Sequence, residues 1–212
     1  MSYPELQCCT MFQTSSIVAN STIRKHCIMI TNDAKYGRNK HVEYYLSNSD
    51  TKVLLDDFFD ENSILVPIPK SAPFVSGALW PSDEICQVLQ RNGYGTSIVH
   101  LIRRKYAVKK AHLQTSANDR LKVPEHRASL ELEPTLFDRS FKSIILVDDF
   151  VTQGRTSTAC YHELTDVYPD VKIKLFAPVR REFGEINKVF LPKRGKIASY
   201  ASGKTHTSHY VP

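Results

Sequence analysis

Two adjacent carboxylates, Asp148 and Asp149, stand between an unbroken apolar run, Ile144-Ile145-Leu146-Val147, and a loop of Thr152, Gln153, Gly154, Arg155, Thr156 and Ser157. That order suits a ligand carrying both sugar hydroxyls and a phosphate. Two ionised carboxylates side by side repel, so a fold gains little from them unless they accept hydrogen bonds or face a cation. The loop brings hydroxyl donors, a flexible glycine and the free backbone N–H groups of a helix start, which together make an anion site.

Such groups must be held by regular elements. Ile144 to Val147 is β-branched and apolar without alternation, as expected of a strand buried on both faces of a parallel sheet. The acidic pair then falls at the carboxyl end of the strand, where ligands of open α/β sheets bind. A helix is predicted over Thr156 to Val167, with Cys160, Leu164 and Val167 on one face. Ser63 to Pro69 reads as another buried strand, ended by Pro67 and Pro69, which cannot donate to a ladder. Lys70-Ser71-Ala72-Pro73 follows as a loop, and Ser82-Asp83-Glu84 starts a helix with Ile85, Cys86, Val88 and Leu89 on its apolar face. Thr96 to Ile102 and Val171 to Ala177 are further strands, the latter stopped by Pro178. Residues 103–140 are polar, basic and poorly periodic, and read as a long flexible loop. Strand–helix alternation predicts an α/β fold with a mainly parallel sheet flanked by helices.

The stretch from Ile144 to Thr156 resembles the phosphoribosyl-pyrophosphate motif of the type I phosphoribosyltransferases: four apolar residues, two acidic ones, then Thr-x-Gly-x-Thr, here Thr152-Gln153-Gly154-Arg155-Thr156. Gln153 and Arg155 stand where that family more often has Thr and a small residue. Val66-Pro67-Ile68-Pro69, followed by a helix, a strand, a basic loop and the motif strand, is most similar to the ComF-like branch, whose N-terminal zinc-binding cysteines are missing here. The resemblance covers roughly residues 60–182. It implies a type I phosphoribosyltransferase-like core over residues 63–183, a small N-terminal hood or cap with edge elements over 1–62, and a partly flexible extension over 184–212.

The resemblance also implies an enzyme that transfers 5-phosphoribosyl from phosphoribosyl pyrophosphate to a nitrogenous base or amine, releasing pyrophosphate. Mg²⁺ would arrive on the substrate, with no direct protein ligand. Asp148 and Asp149 would be the catalytic, ribose-binding carboxylates, and Val151, Thr152, Gln153, Gly154, Arg155, Thr156 and Ser157 would wrap the 5′-phosphate. Lys70 and Ser71 would meet pyrophosphate, with Arg103, Arg104, Lys109 and Lys110 as further pyrophosphate candidates on a loop that closes over the reaction and excludes water. Tyr36, Tyr44 and Tyr45 are available in the hood to stack on a base. The alternative is a non-catalytic protein that senses phosphoribosyl pyrophosphate or a nucleotide and is linked to nucleic-acid handling.

Composition narrows the field further. The net charge of +6 fits either a pyrophosphate-bearing substrate or nucleic acid as partner. Five cysteines, an odd number without a C-x-x-C pair, argue against a disulfide framework or zinc finger. No stretch approaches the ~20 apolar residues of a membrane helix. Met1 to Glu5 lacks the basic and apolar regions of a secretory signal, so a cytoplasmic location is expected. A homodimer is compatible with the sequence. Val53-Leu54-Leu55-Asp56-Asp57 echoes the acidic motif but is followed by no Thr/Gly loop, and reads as an amphipathic helix. Ser202-Gly203-Lys204-Thr205 resembles a phosphate loop only superficially, because Ala198 stands where the first Gly is needed. The eight histidines show no metal spacing.

Overall fold

The computed structural model describes residues 5–109, 120–133, 141–200 and 202–210. In chain order the elements are β1 (Leu6–Thr14), α1 (Ser21–Lys35), α2 (Lys40–Leu46), α3 (Ser49–Asp56), β2 (Ser63–Pro67), α4 (Pro81–Arg91), β3 (Ser97–Ile98) and β4 (Ile102–Arg104). They continue with α5 (Val123–Ala128), β5 (Leu130–Leu132), β6 (Ser143–Val147), β7 (Phe150–Val151), α6 (Arg155–Val167), β8 (Lys172–Arg181), β9 (Phe190–Ser199) and β10 (Thr205–Tyr210).

The chain is α/β, with a mostly parallel central sheet flanked by helices. Its strand order is β10-β9-β1-β8-β6-β2-β3, parallel from β1 to β3, with β9 and β10 antiparallel at one edge. Strand β6 explains why its sequence lacks alternation. Ile145 and Val147 face the core under α1 to α4, together with Leu55, Leu89 and Phe176. Ile144 and Leu146 face the opposite core, with Ala159, Cys160 and Leu164 of α6. Each Val, Leu, Ile or Phe among them contributes about 1.5–3 kcal/mol by leaving water, so both faces must be apolar.

The register of β6 on β8 continues unchanged into β7: Val147 pairs with Phe176 and Phe150 with Val179. Asp148 and Asp149 therefore sit opposite Ala177 and Pro178, where the ladder lapses for two residues. Pro178 does not stop β8, as the sequence suggested, because its missing N–H falls beside this interruption.

Three other expectations need correction. Residues 1–62 supply an interior strand rather than edge strands, since β1 lies between β8 and β9 and is buried except at Gln7. The region after 183 is not a loose extension within its described residues, because β9 and β10 widen the sheet. Residues 103–140 are not one long loop, for β4 and β5 form a two-stranded antiparallel ribbon and α5 packs against α6. Thr96 to Ile102 divides accordingly, β3 staying in the main sheet and β4 leaving it for the ribbon. Ser202 to Lys204 lie in the turn between β9 and β10, and Thr205 begins β10, so the segment is not a loop that opens a helix. Among the described residues no helix is long and apolar enough to cross a membrane.

Candidate functional site

The end of β6, the start of α6, the loop after β2 and the ribbon strand β4 converge on a cavity of about 230 Å³. Asp148 N–H donates to Phe176 O (3.0 Å), which fixes the first acidic residue at the strand end. Its carboxylate in turn organises the loop between β6 and α6. Oδ1 accepts from Asp149 N–H (3.0 Å), and Oδ2 accepts from the Ser157 hydroxyl (3.2 Å). The loop is thus folded back on the acidic pair before any ligand arrives.

Burial, with the neighbouring Asp149 charge, holds the Asp148 carboxyl well above the usual carboxylate range. Burial raises Asp149 too, opposed by its hydrogen bonds and by the Lys35 ammonium. Lys35, at the end of α1, lies 5.3 Å from the centre of the Phe150 ring, which lines the same cavity.

Gly154 adopts φ 67° and forms the N-cap of α6. Only glycine is at ease there, because a Cβ would also overlap Ile197 Cδ1 of β9. The first-turn amides of α6 have no partner within the helix and make its N-terminus attractive to anions. The start of β10 braces this loop, where Thr205 Oγ1 donates to Gln153 O (2.5 Å), and in the turn before it Gly203 O accepts from Val123 N of α5 (3.2 Å).

The opposite wall is cationic. Lys70, Arg104, Lys109 and Arg120 line it together with Ser71. Arg104 is only 4% exposed and acts as a hub. Its Nε donates to Lys70 O (3.0 Å), and its Nη1 donates to Ser129 Oγ and to His126 O (3.3 Å). Arg155 Nη1 donates to the Arg120 and Leu121 carbonyls (2.9 and 3.2 Å), pinning that segment over the loop. The Nε of Arg120 and Oε1 of Gln153 are buried and have no hydrogen-bond partner among the described residues. Orphaned buried polar atoms beside a cavity suit a site that a ligand or ordered water completes.

Most residues singled out in the sequence meet here: Lys70, Ser71, Arg104, Lys109, Asp148, Asp149 and the loop from Val151 to Ser157 all line the cavity. Arg103 does not. Alternation along β4 turns it to the other face, where it pairs with Glu131 and Glu133 (Nε to Oε1 of Glu133, 2.9 Å). Lys70 lines the cavity, but its Nζ donates to Leu79 O. Lys110 lies outside the described residues. Tyr36, Tyr44 and Tyr45 are not among the lining residues: Tyr45 stacks on Phe190 (4.1 Å), Tyr44 meets Tyr45 edge-on, and Tyr36 sits beneath Arg38.

His126, overlooked in the sequence, also lines the cavity. Burial and the Arg104 and Arg155 charges push its pKa down to about 4. Arg104 Nη2 approaches its Nδ1 at 3.4 Å, and because arginine can only donate, Nδ1 accepts and Nε2 carries the proton. The available signal was Pro124 with Glu125 behind it. Lys122 N–H donates to Glu125 Oε2 (2.6 Å), a helix start inside the segment read as loop.

No protein-family model matches the sequence, and no curated protein matches it.

Proposed function

We propose that this protein is a phosphoribosyltransferase that binds phosphoribosyl pyrophosphate in the cavity at Asp148 and transfers its 5-phosphoribosyl group to a nitrogenous base or amine. One observation carries the reading: a carboxylate pair at a parallel strand's carboxyl end, a glycine-capped helix start and a cationic wall all face one small cavity. Vicinal ribose hydroxyls donate to the acidic pair, and the 5′-phosphate accepts from the amides and hydroxyls between Val151 and Ser157. The C1–O bond breaks with its electron pair leaving on pyrophosphate, the acceptor nitrogen forms the C1–N bond, and its proton leaves to solvent. The sugar passes through an oxocarbenium-like state, which nearby carboxylates favour.

Among the described residues no three His, Cys, Asp or Glu side chains are grouped to cage a metal. In this reading Mg²⁺ comes in on the oxygens of the substrate itself, without a direct protein ligand, and the two aspartates are left to the ribose hydroxyls. Bound Mg²⁺ supplies neutralisation of the leaving pyrophosphate.

A second reading, binding without turnover, draws on Lys70 and Arg103. The ammonium of Lys70 is held by Leu79 O, and Arg103 is paired with two carboxylates, so two pyrophosphate candidates are engaged elsewhere. Calorimetric titration with phosphoribosyl pyrophosphate and Mg²⁺, followed by a pyrophosphate-release assay over a panel of bases and amines, tests both readings. Saturable binding with release supports the transferase. Binding without release for every acceptor supports the sensor, and salt-sensitive DNA binding would tie it to nucleic acid. Absence of binding removes both.

A further inference from the structure

A second cavity, of about 1290 Å³, lies on the other side of Pro69, Lys70 and Arg104, which line both spaces. It is roomier than the ~300–1,000 Å³ of ordinary small-molecule pockets. Its back wall is a short aromatic ladder. Trp80 stacks on His100 (5.0 Å, 24°) and is flanked by Phe74 (5.5 Å, 40°). The ladder is fixed in place: Trp80 Nε1 donates to Ile68 O (2.8 Å), and Asp83 Oδ1 holds His100 Nε2 at 2.7 Å. Phe74 ends the ladder with 55% of its surface exposed, a large apolar ring facing open space.

The lining carries four carboxylates, Asp83, Glu84, Glu131 and Glu133, beside Lys70, Arg103, Arg104 and Lys105, and the first three of these cations are engaged within the fold. Glu131 and Glu133 share the single guanidinium of Arg103, and both contacts use Oε1. Lys70 has its ammonium on Leu79 O, and Arg104 is bound to Lys70 O and to groups beyond the shared wall. Aromatic faces beside carboxylates suit a flat ring that donates N–H and tolerates positive charge. We propose that this cavity is a binding site for a planar aromatic ligand bearing an amino or amidine group. The ring continues the stack at Phe74 and its N–H groups meet Glu131 and Glu133. Such a ligand has two sources, the acceptor of the transfer or an effector that is not consumed. The site itself does not depend on the transferase reading, because it uses different side chains.

Trp80 is the only tryptophan of the chain, so its fluorescence reports on this cavity directly. The full-length protein is titrated with adenine and with benzamidine as amino-bearing probes, and with orotate as a carboxylate-bearing control. A saturable change is expected for adenine or benzamidine and none for orotate. Glu131→Gln with Glu133→Gln should weaken the probe about tenfold, and Phe74→Ala, a change at an exposed ring, should weaken it comparably without altering the melting temperature. Calorimetry with phosphoribosyl pyrophosphate runs in parallel, so that loss of one site is distinguished from loss of the other. If a bound probe is consumed with equimolar pyrophosphate release, the cavity holds the acceptor. If it survives while shifting phosphoribosyl pyrophosphate affinity, the cavity holds an effector. No saturable change with either amino-bearing probe, or equal binding of orotate, overturns the assignment whatever the donor titration shows.

Discussion

Ser157 Oγ donates to Oδ2 of Asp148 at 3.2 Å, closing a ring of backbone from the end of β6 to the first turn of α6. The carboxylate that the proposed chemistry needs therefore also shapes the loop that would hold phosphate. Asn at 148 keeps one oxygen for the Asp149 N–H, and the Ser157 hydroxyl can turn to accept from its NH2, so Asp148→Asn with Asp149→Asn should leave the loop folded while removing both charges. Binding of phosphoribosyl pyrophosphate is expected to weaken about a hundredfold or more, from two lost charge-assisted contacts. Stability should move the other way. Both carboxyls are raised in the folded state, so above the ordinary carboxylate pKa of about 4 the folded chain binds more protons than the unfolded one, and the wild type loses stability as pH rises through that window. The double variant should match the wild type near that pKa and melt higher at neutral pH. Unchanged ligand affinity, or a variant that melts lower at neutral pH, contradicts this account.

Gly154 and Ile197 form a second coupled pair. Alanine at 154 would have to hold φ 67° and would drive its Cβ into Ile197 Cδ1. The cost should be about 1–3 kcal/mol, as for a residue held in the left-handed region with a steric conflict. Truncating the neighbour relieves the second part only. On a Gly154→Ala background, Ile197→Ala should cost less stability than it does in the wild type, which a double-mutant cycle by thermal or urea unfolding measures.

The parts of this site that were legible in the sequence share a physical cause. Strands β2 and β6 are buried on both faces, so Ile64 to Val66 and Ile144 to Val147 are unbroken apolar runs, and the acidic pair at the end of β6 needed no tertiary knowledge to find. Strand β1 is as deeply buried but carries Thr10, Gln13 and Thr14, and partners far along the chain satisfy the last two: Gln13 Nε2 donates to Lys188 O at 2.7 Å and Thr14 Oγ1 to Arg180 O at 3.4 Å. No local pattern reveals that. Strands β9 and β10 form an antiparallel edge, β9 is mostly half-buried, and the Lys, Arg, Ser and Thr content of the pair reads as a loose tail. Arg103 and Arg104 are adjacent and chemically alike. Only their alternation on a ribbon strand separates a surface ion pair from a buried hub.

His126 makes a pH prediction of the opposite sign to the aspartates. Its pKa is pushed down to about 4 in the folded protein, against an ordinary value near 6.5. The unfolded chain therefore takes up a proton first on acidification. The stability linked to this group is fully present above about pH 6.5 and is lost as pH falls toward 4. An NMR titration of the imidazole should show its inflection near 4 and Nε2–H protonation at neutral pH. An inflection near 6.5 would mean that the packing against Arg104 is absent in solution.

The hydroxyl of Thr205 reaches Gln153 O from the first residue of β10, so a residue far along the chain braces the loop at its most ligand-like point. Thr205→Val keeps the branched shape and removes the donor. Part-buried Gln153 O then loses its partner, at a cost of about 1 kcal/mol. If the brace only adds stability, melting falls and affinity for phosphoribosyl pyrophosphate is unchanged. If it preorganises the loop, affinity falls several-fold as well, through faster dissociation. The second outcome is expected, because the same peptide carbonyl is one residue from Gly154, whose backbone sets the direction of the helix-start amides. Comparing dissociation rates of Thr205→Val and Thr205→Ser, in which the donor is retained, separates loss of the hydrogen bond from loss of packing.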